Sequence, residues 1–431
     1  MSVTAPASKT SPFSGGYVHE EAANFIEFCI ELNNQDNRFQ LKDSNDAAQL
    51  QKFEAAIDPA LWNPVPLFDS RKQVAADYIR FRTSPSAPEQ GEDDLSHWEK
   101  LFTELEARAA AKNLTPLTQE LIESSPDLNG FGPWQNAWLL YQGVGSNAGR
   151  YAIAIRGTVF SNSPSAIEDA FFQPVQARRF LSDAVSFAAS DAAALHSGFA
   201  HATFTTLFDL RYGILQILNE QQLPTDAVLY IVGHSQGASM ATLIHSFFHH
   251  AMQSAETTGE DPFALKDTRY HLKSYAFAQP KPGTPSFASD FARITQQYDN
   301  AVVINNDLDS IPKVPLTLES MSDLETAFPP ASIATRLLRF ISGFSSGFRS
   351  LVGAVIEPHV RKSAQNYGYF YRYDSLKPLR SIATDSSWCF EPAGQVLFVF
   401  GTPTPPQFAD DLFYQHHATT YRELIRAQLG E

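Results

Sequence analysis

The spacing of apolar residues divides the chain into three zones that predict different structures. In residues 17–130 apolar side chains recur at helical spacing, most clearly in 20–32 and 95–111, which predicts amphipathic helices. Residues 136–320 alternate short apolar runs with helical patterns, which is typical of a mostly parallel β-sheet with helices on its faces. In this zone we predict strands at 137–142, 151–156, 228–232, 274–277 and 302–305, and helices at 203–219 and 238–252.

The third zone, residues 321–431, combines both patterns. It contains an apolar stretch with helical spacing at 333–356, and we predict strands at 367–373 and 396–400 and a helix from about Thr419. The domain organisation that follows is a flexible N-terminus (1–16), a helical extension packed on the core (17–130) and an α/β domain (131–431).

The segment Gly233-His234-Ser235-Gln236-Gly237 lies where a buried strand is expected to meet a helix. Residues 227–232 before it are apolar, and residues 238–244 after it suit the start of a helix. G-x-S-x-G alone is a weak signal, but between a strand and a helix it indicates a nucleophile elbow, in which serine occupies a tight, strained turn. We therefore predict that Ser235 is a catalytic nucleophile, which requires a histidine base, an acid and oxyanion donors from elsewhere in the chain.

Charge and cysteine content narrow the classes of function. The formal net charge of −15 argues against binding to nucleic acid and against electrostatic docking on anionic membranes, but leaves apolar contact with a lipid–water interface open. The two cysteines, Cys29 and Cys389, lack partners at metal-ligand spacing, so we interpret them as small apolar residues.

We expect no transmembrane segment, and residues 1–16 do not resemble a classical secretory signal. The expected location is therefore open between the cytoplasm, non-classical export and processing of a longer chain.

Five segments, in order along the chain, resemble the class 3 lipases, the fungal-type triacylglycerol lipase family. They are Tyr151-Ala-Ile-Ala-Ile-Arg-Gly-Thr158, His196-Ser-Gly-Phe199, the elbow at 233–237, Tyr275-Ala-Phe-Ala-Gln-Pro-Lys-Pro-Gly283 and Asn306-Asp-Leu-Asp-Ser-Ile-Pro-Lys-Val-Pro315. The likeness covers roughly residues 137–320 and the C-terminal tail. It implies an α/β-hydrolase fold, a Ser–His–Asp triad, a lipid or other ester as substrate, and catalysis without a metal or an organic cofactor.

The resemblance also implies which residues are the acid and the base. The family's acid stands three residues before the first proline of its segment, which indicates Asp309, with Asp307 as the alternative. The family's histidine stands five residues before an aromatic residue that opens a helix. His416 has this spacing from Tyr421, and His417 is the alternative.

An oxyanion hole needs two donors directed at the charge that develops on the substrate carbonyl. One is expected to be the backbone N–H of Gln236, the residue after the nucleophile. The resemblance implies that Thr158 supplies the second. Gln236 departs from the leucine that the family more often has here. His245 and His249 have i, i+4 spacing but lack a following glutamate and a third ligand, so we predict no metal site.

The resemblance implies a lid after the oxyanion strand, and two apolar segments are candidates for a lid or cap over an acyl pocket. Residues 161–184 combine phenylalanines with charged residues, and a cap-like insertion is predicted at 321–360; an ordinary packed helix is the alternative for each. The sequence thus predicts a serine carboxylic-ester hydrolase that acts on acylglycerols or other lipid esters through an acyl-enzyme on Ser235. The alternatives are a phospholipase A1 or acyltransferase on the same scaffold, and a catalytically inactive hydrolase fold used for binding.

Overall fold

The computed structural model describes residues 13–33, 54–65, 136–158, 174–180, 185–208, 213–257, 265, 268–314, 390–409, 411 and 413–430. Within these residues the chain forms nine strands and six α-helices. The strands are β1 (Trp62–Pro64), β2 (Trp138–Gly143), β3 (Arg150–Ile155), β4 (Pro174–Gln176), β5 (Ala194–His196), β6 (Val228–His234), β7 (His271–Phe277), β8 (Ala301–Asn306) and β9 (Gln395–Val399). The helices are α1 (His19–Leu32), α2 (Ser197–Phe208), α3 (Ile214–Glu220), α4 (Gln236–Thr257), α5 (Pro285–Thr295) and α6 (Ala418–Gln428).

A seven-stranded sheet forms the centre of the fold, in the order β1-β2-β3-β6-β7-β8-β9. The five strands from β3 to β9 in this order pair in parallel, whereas β1 and β2 pair antiparallel at one edge. β6 and β8 are buried along their whole length, as expected for parallel strands covered on both faces. The predicted mostly parallel α/β sheet is therefore confirmed.

The two faces of the sheet contribute to two separate cores. Alternate residues of a strand point to opposite faces, so in β6 Leu229 and Ile231 join one core while Tyr230 and Val232 join the other. α2, α3, α4 and α5 cover the first face, and α1 and α6 cover the second. On the second face the ring of Phe28 in α1 stacks on Tyr141 in β2 at a centroid distance of 4.0 Å.

Two elements differ from the sequence prediction. The single helix expected at 203–219 is wrong, because the structure has α2, which ends at Phe208, and α3, which begins at Ile214. Gly213 has extended backbone angles immediately before α3, so the helix cannot continue through it. The prediction of mainly helix in 17–130 also missed β1, whose three residues pair with the edge of β2. Three residues are too few to show a strand period in the sequence.

Of the predicted lid segment 161–184, the structure describes residues 174–180. There β4 pairs antiparallel with β5, which the sequence analysis did not predict, and Phe180 is buried against Phe187 and Phe204. These residues belong to the first core. Residues 161–173 and 181–184, the predicted insertion 321–360, the predicted helix 95–111 and the predicted strand 367–373 lie outside the described residues.

None of the helices in the described ranges combines the length and apolar character needed to cross a membrane.

Candidate active site

The elbow after β6 holds Ser235 in a conformation that most residues avoid. Its φ is +59°, in the left-handed region, which stores backbone strain in a non-glycine residue. A side chain on Gly233 would collide with the backbone of Gly237, so glycine permits the turn to be this tight. The Ser235 N–H donates to the carbonyl of Phe277 in β7 at 3.0 Å, which ties the elbow to the neighbouring strand.

Ser235, His416 and Asp309 form a continuous hydrogen-bond chain. His416 Nε2 lies 2.8 Å from Ser235 Oγ, and His416 Nδ1 lies 2.8 Å from Asp309 Oδ2. The three residues are only 3%, 4% and 1% exposed, respectively, so water competes little for these bonds. Because a carboxylate can only accept, Nδ1 carries a proton and Nε2 is free to accept the serine proton.

Two loops at the carboxyl edge of the sheet present the acid and the base. Asp309 follows β8, and its Oδ1 accepts the N–H of Ile311 at 2.9 Å, which begins a short 3-10 helix at Ile311–Lys313. His416 ends another 3-10 turn, Tyr414–His416, two residues before α6 begins. The carboxyl edge of a parallel sheet is where α/β enzymes usually assemble their sites.

Tyr421 in α6 makes a second hydrogen bond to the oxygen of Asp309 that binds His416. Its hydroxyl donates to Asp309 Oδ2 at 2.8 Å and accepts the backbone N–H of Asn306 at 2.9 Å. Burial, and then the negative charge of Asp309, raise the pKa of Tyr421 well above its ordinary value, so the hydroxyl keeps its proton and remains a donor. In the sequence, Tyr421 is recognisable only by its spacing from His416, and nothing there predicts this contact.

Asn306 joins the acid loop to the histidine loop. Its side-chain amide donates at 2.9 Å to both the backbone carbonyl and the side-chain oxygen of Gln415, the residue before His416. Its own side-chain oxygen accepts the N–H of Leu308 at 3.1 Å. No pattern in the sequence relates residues 306 and 415, because they are distant along the chain and meet only in the folded protein.

Asp307 and His417, the alternative candidates for the acid and the base, bind residues other than the serine. Asp307 Oδ1 accepts the N–H of Gly401 at 2.7 Å, and the side chain is exposed. His417 Nε2 lies 2.8 Å from Asp411 Oδ2, and His417 occupies the N-cap of α6. The structure therefore brings together Ser235, Asp309 and His416, and does not bring Asp307 or His417 to the serine.

Of the two predicted oxyanion donors, Gln236 belongs to the elbow itself and Thr158 follows β3. Gln236 is the first residue of α4, whose N-terminus carries a partial positive charge, and Thr158 is buried. Gly157, the residue before Thr158, packs directly against the elbow. A Cβ built on it would lie 2.7 Å from the carbonyl oxygen of His234 and 2.9 Å from the Cβ of Ser235, so only glycine lets this chain segment approach the elbow.

His234 lies directly behind the triad. Its ring centroid is 4.8 Å from that of His416, and its Nδ1 accepts a hydrogen bond from the side-chain amide of Asn33 at 3.4 Å. Burial, and then the positive charge that His416 carries when it is protonated, lower the pKa of His234 well below its ordinary value. His234 therefore stays neutral and adds no charge next to the base.

Of the three histidines on α4, His245 is buried, whereas His249 and His250 are partly exposed. His245 Nδ1 lies 2.9 Å from the hydroxyl of Ser274, and burial lowers the pKa of His245 to about 3. Among the described residues, no group of three or more histidine, cysteine, aspartate or glutamate side chains is arranged to hold a metal ion. Cys29 is a free, buried residue of α1, whereas Cys389 lies outside the described residues.

Comparison with solved structures gave several lipases. A triacylglycerol lipase with a serine protease triad is 19% identical, with a TM-score of 0.29, and the match covers 42% of this chain and 57% of that protein. M37 lipase is 18% identical with a TM-score of 0.39, covering 68% and 74%. The Rhizomucor miehei triacylglyceride lipase is 17% identical with a TM-score of 0.30, covering 52% and 74%.

Comparison at the sequence level gave one family. No curated protein sequence matches the chain significantly. Residues 152–319 match the family of lipases of class 3, and this segment contains Thr158, the elbow and Asp309, while His416 follows it. The chain is therefore similar to the class 3 lipases over residues 152–319, which make up less than half of its length.

Proposed function

We propose that the chain hydrolyses acylglycerols or other lipid esters through an acyl-enzyme on Ser235. The observation that carries this proposal is the hydrogen-bond chain from Ser235 through His416 to Asp309, with 2.8 Å at each step. A serine hydroxyl is a weak nucleophile until a positioned base accepts its proton. The lipid class of the ester is supported by the family match.

In the first half of the reaction, Ser235 Oγ forms a bond to the carbonyl carbon of the ester while its proton passes to His416 Nε2. The carbonyl oxygen becomes an oxyanion, which the backbone N–H of Gln236 and the Thr158 donor stabilise. His416 then gives its proton to the alcohol oxygen as the carbon–oxygen bond breaks. The alcohol leaves, and the acyl group remains on Ser235.

In the second half, water takes the place of the alcohol. His416 removes a proton from water as its oxygen attacks the acyl carbon, and returns that proton to Ser235 Oγ as the acyl bond breaks. The products are the carboxylic acid and the free enzyme. Asp309 accepts the Nδ1–H of His416 throughout and stabilises the imidazolium that forms in each half.

The proposal is tested by two measurements on the full chain. We expect a fluorophosphonate probe to label the protein at Ser235, as located by peptide mass spectrometry. We also expect hydrolysis of p-nitrophenyl esters and of emulsified triacylglycerols over a panel of acyl lengths. A protein that the probe leaves unlabelled and that hydrolyses no ester in the panel would contradict the proposal and favour a binding protein.

The same panel distinguishes acylglycerol hydrolysis from phospholipase and acyltransferase activity. A phospholipid is included as a substrate, and glycerol is included as an acyl acceptor, with products identified by mass spectrometry. Free fatty acid from acylglycerols is the expected main product. Preferential release from the phospholipid would indicate a phospholipase, and acyl glycerol formed faster than free acid would indicate an acyltransferase.

The variant Tyr421→Phe tests the hydrogen bond from the Tyr421 hydroxyl to Asp309. We expect kcat to fall roughly tenfold at unchanged KM, because Asp309 loses one of the donors that fix its orientation. The backbone N–H of Asn306 also loses its acceptor, so the free energy of unfolding should fall by about 1–3 kcal/mol. Steady-state kinetics and urea unfolding measure the two effects. Wild-type kcat in the folded variant would show that Asp309 needs no support from Tyr421.

A further inference from the structure

Two polar side chains of α1 and one at its C-cap bind residues elsewhere in the protein, at different positions along the helix. Near its start, Glu21 binds the hydroxyls of Tyr230 and Tyr275 and the ammonium of Lys273. Near its middle, Glu27 binds α6, and at its C-cap Asn33 binds the residue before the nucleophile. The helix lies outside the family match at 152–319, yet two of these three contacts lead to the triad.

Glu27 is a buried carboxylate held by two guanidinium groups of α6. Its Oε2 lies 3.3 Å from Arg422 Nη1, and its Oε1 lies 2.9 Å from Arg426 Nη2. Its Oε2 also accepts the N–H of Ala56 at 2.9 Å, and Arg422 Nη1 donates to the carbonyl of Glu54 at 3.0 Å. The side chains of Glu27 and Arg422 are only 3% and 6% exposed, so the pair is shielded from solvent and holds a fixed geometry.

The contact between Glu27 and Arg422 is adjacent in sequence to Tyr421, the residue that binds the acid Asp309. Arg422 follows Tyr421, whose hydroxyl binds Asp309, and α6 begins two residues after His416. The rotation and height of α6 therefore determine where the His416 loop and the Tyr421 hydroxyl lie. Glu27 holds α6 through Arg422 and Arg426, and so fixes the rotation and height of this helix from the side that faces α1.

Asn33 reaches the triad from a second direction. Its amide N–H donates to His234 Nδ1, which holds that nitrogen unprotonated and the imidazole neutral. The His234 ring in turn packs against His416 at 4.8 Å and against Tyr421 at 5.7 Å between centroids. The C-terminal end of α1 thus supports the layer of side chains behind the base.

We propose that α1 is a positioning element of the triad, in which Glu27 orients α6 and Asn33 orients His234, so that His416 lies between Ser235 and Asp309. The inference rests on the proposed function of these three residues. It extends the catalytic unit to a helix that precedes the family segment by more than a hundred residues. A displacement of about 1 Å at the reacting atoms, caused by a distant change, is enough to slow an enzyme roughly 100-fold.

The test compares three single variants in the full chain: Glu27→Gln, Asn33→Leu and Glu21→Gln. Glu21→Gln is the matched control, because it removes a carboxylate with several partners from the same helix. Those partners lie within β6 and β7, and not in the loops that carry Asp309 and His416. kcat and KM are measured on soluble p-nitrophenyl butyrate, at a temperature at which circular dichroism shows each variant to be folded. The second-order rate of Ser235 labelling by a fluorophosphonate is measured in parallel.

We expect all three variants to unfold at lower temperature than the wild type. Glu27→Gln and Asn33→Leu should in addition lower kcat roughly 10- to 100-fold at unchanged KM, with a matching fall in the labelling rate, while Glu21→Gln keeps both constants. If Glu27→Gln does not fold, Arg426→Gln removes one bond of the same contact at a half-exposed position and should show the same change in kcat.

Wild-type kcat in a folded Glu27 or Asn33 variant would remove that residue from the proposal, and an equal loss in Glu21→Gln would overturn the proposal as a whole. A change confined to KM would also contradict it. These outcomes are separate from a failure of the proposed function, which would appear as absent ester hydrolysis and absent labelling in the wild-type protein.

Discussion

Ser235→Ala is expected to lower kcat for ester hydrolysis by roughly 10⁶-fold while the protein stays folded. The variant removes the only atom that forms the covalent bond to the acyl group, so the residual rate comes from the oxyanion donors and from substrate binding alone. The missing bond to His416 should change the free energy of unfolding by only about 1 kcal/mol. Hydrolysis is followed with p-nitrophenyl butyrate and folding by circular dichroism.

Ser239→Ala is the matched control for this change. Ser239 is a buried serine of α4, whose hydroxyl donates to the carbonyl of Pro280 at 2.7 Å and makes no contact with His416 in the described residues. This variant should lose stability and keep kcat within a few-fold. Retained hydrolysis in Ser235→Ala at more than about 1% of the wild-type rate would contradict the acyl-enzyme mechanism.

His416→Ala and His417→Ala should differ by at least about 10⁴-fold in kcat. Without His416, Ser235 loses the base that lies 2.8 Å from its hydroxyl, and the serine becomes as weak a nucleophile as one in water. His417 is the adjacent residue, but its Nε2 binds Asp411 at 2.8 Å. Its loss should lower stability and leave kcat within a few-fold.

The pair of variants is informative because the two histidines are adjacent in the sequence. Both are measured for kcat, KM and the rate of fluorophosphonate labelling, and each serves as the control for local disruption by the other. Comparable loss in both variants would mean that the loop before α6, and not the imidazole of His416, limits the reaction. The reverse order of effects would assign the base to His417.

Local signals in the sequence were sufficient for the fold class and the elbow. The strand before Ser235 is a continuous apolar run, and continuous runs that alternate with helical patterns predict a parallel sheet. The elbow could be recognised because strand, tight turn and helix follow one another within a few residues. In contrast, β1, β4 and β5 have three residues each, and their pairing depends on partners far away in the chain.

The choice between neighbouring candidates depended on different information. Asp307 and Asp309 have the same chemistry, and so do His416 and His417, so residue type alone could not separate them. The family resemblance selected one of each by spacing. The tertiary structure gives the physical reason: Asp307 accepts the N–H of Gly401, and His417 binds Asp411, so neither points to the serine.

The sequence by itself determined that Ser235 lies on a strained turn between a buried strand and a helix, because every residue needed for that turn is local. Only the tertiary structure decided what surrounds the serine. The supporting contacts of Tyr421, Asn306, Glu27 and Asn33 have no local signal in the sequence, since each joins residues that are far apart in the chain. Packing of the sheet and its helices creates those contacts, and it brings the acid and the base to within 2.8 Å of their partners.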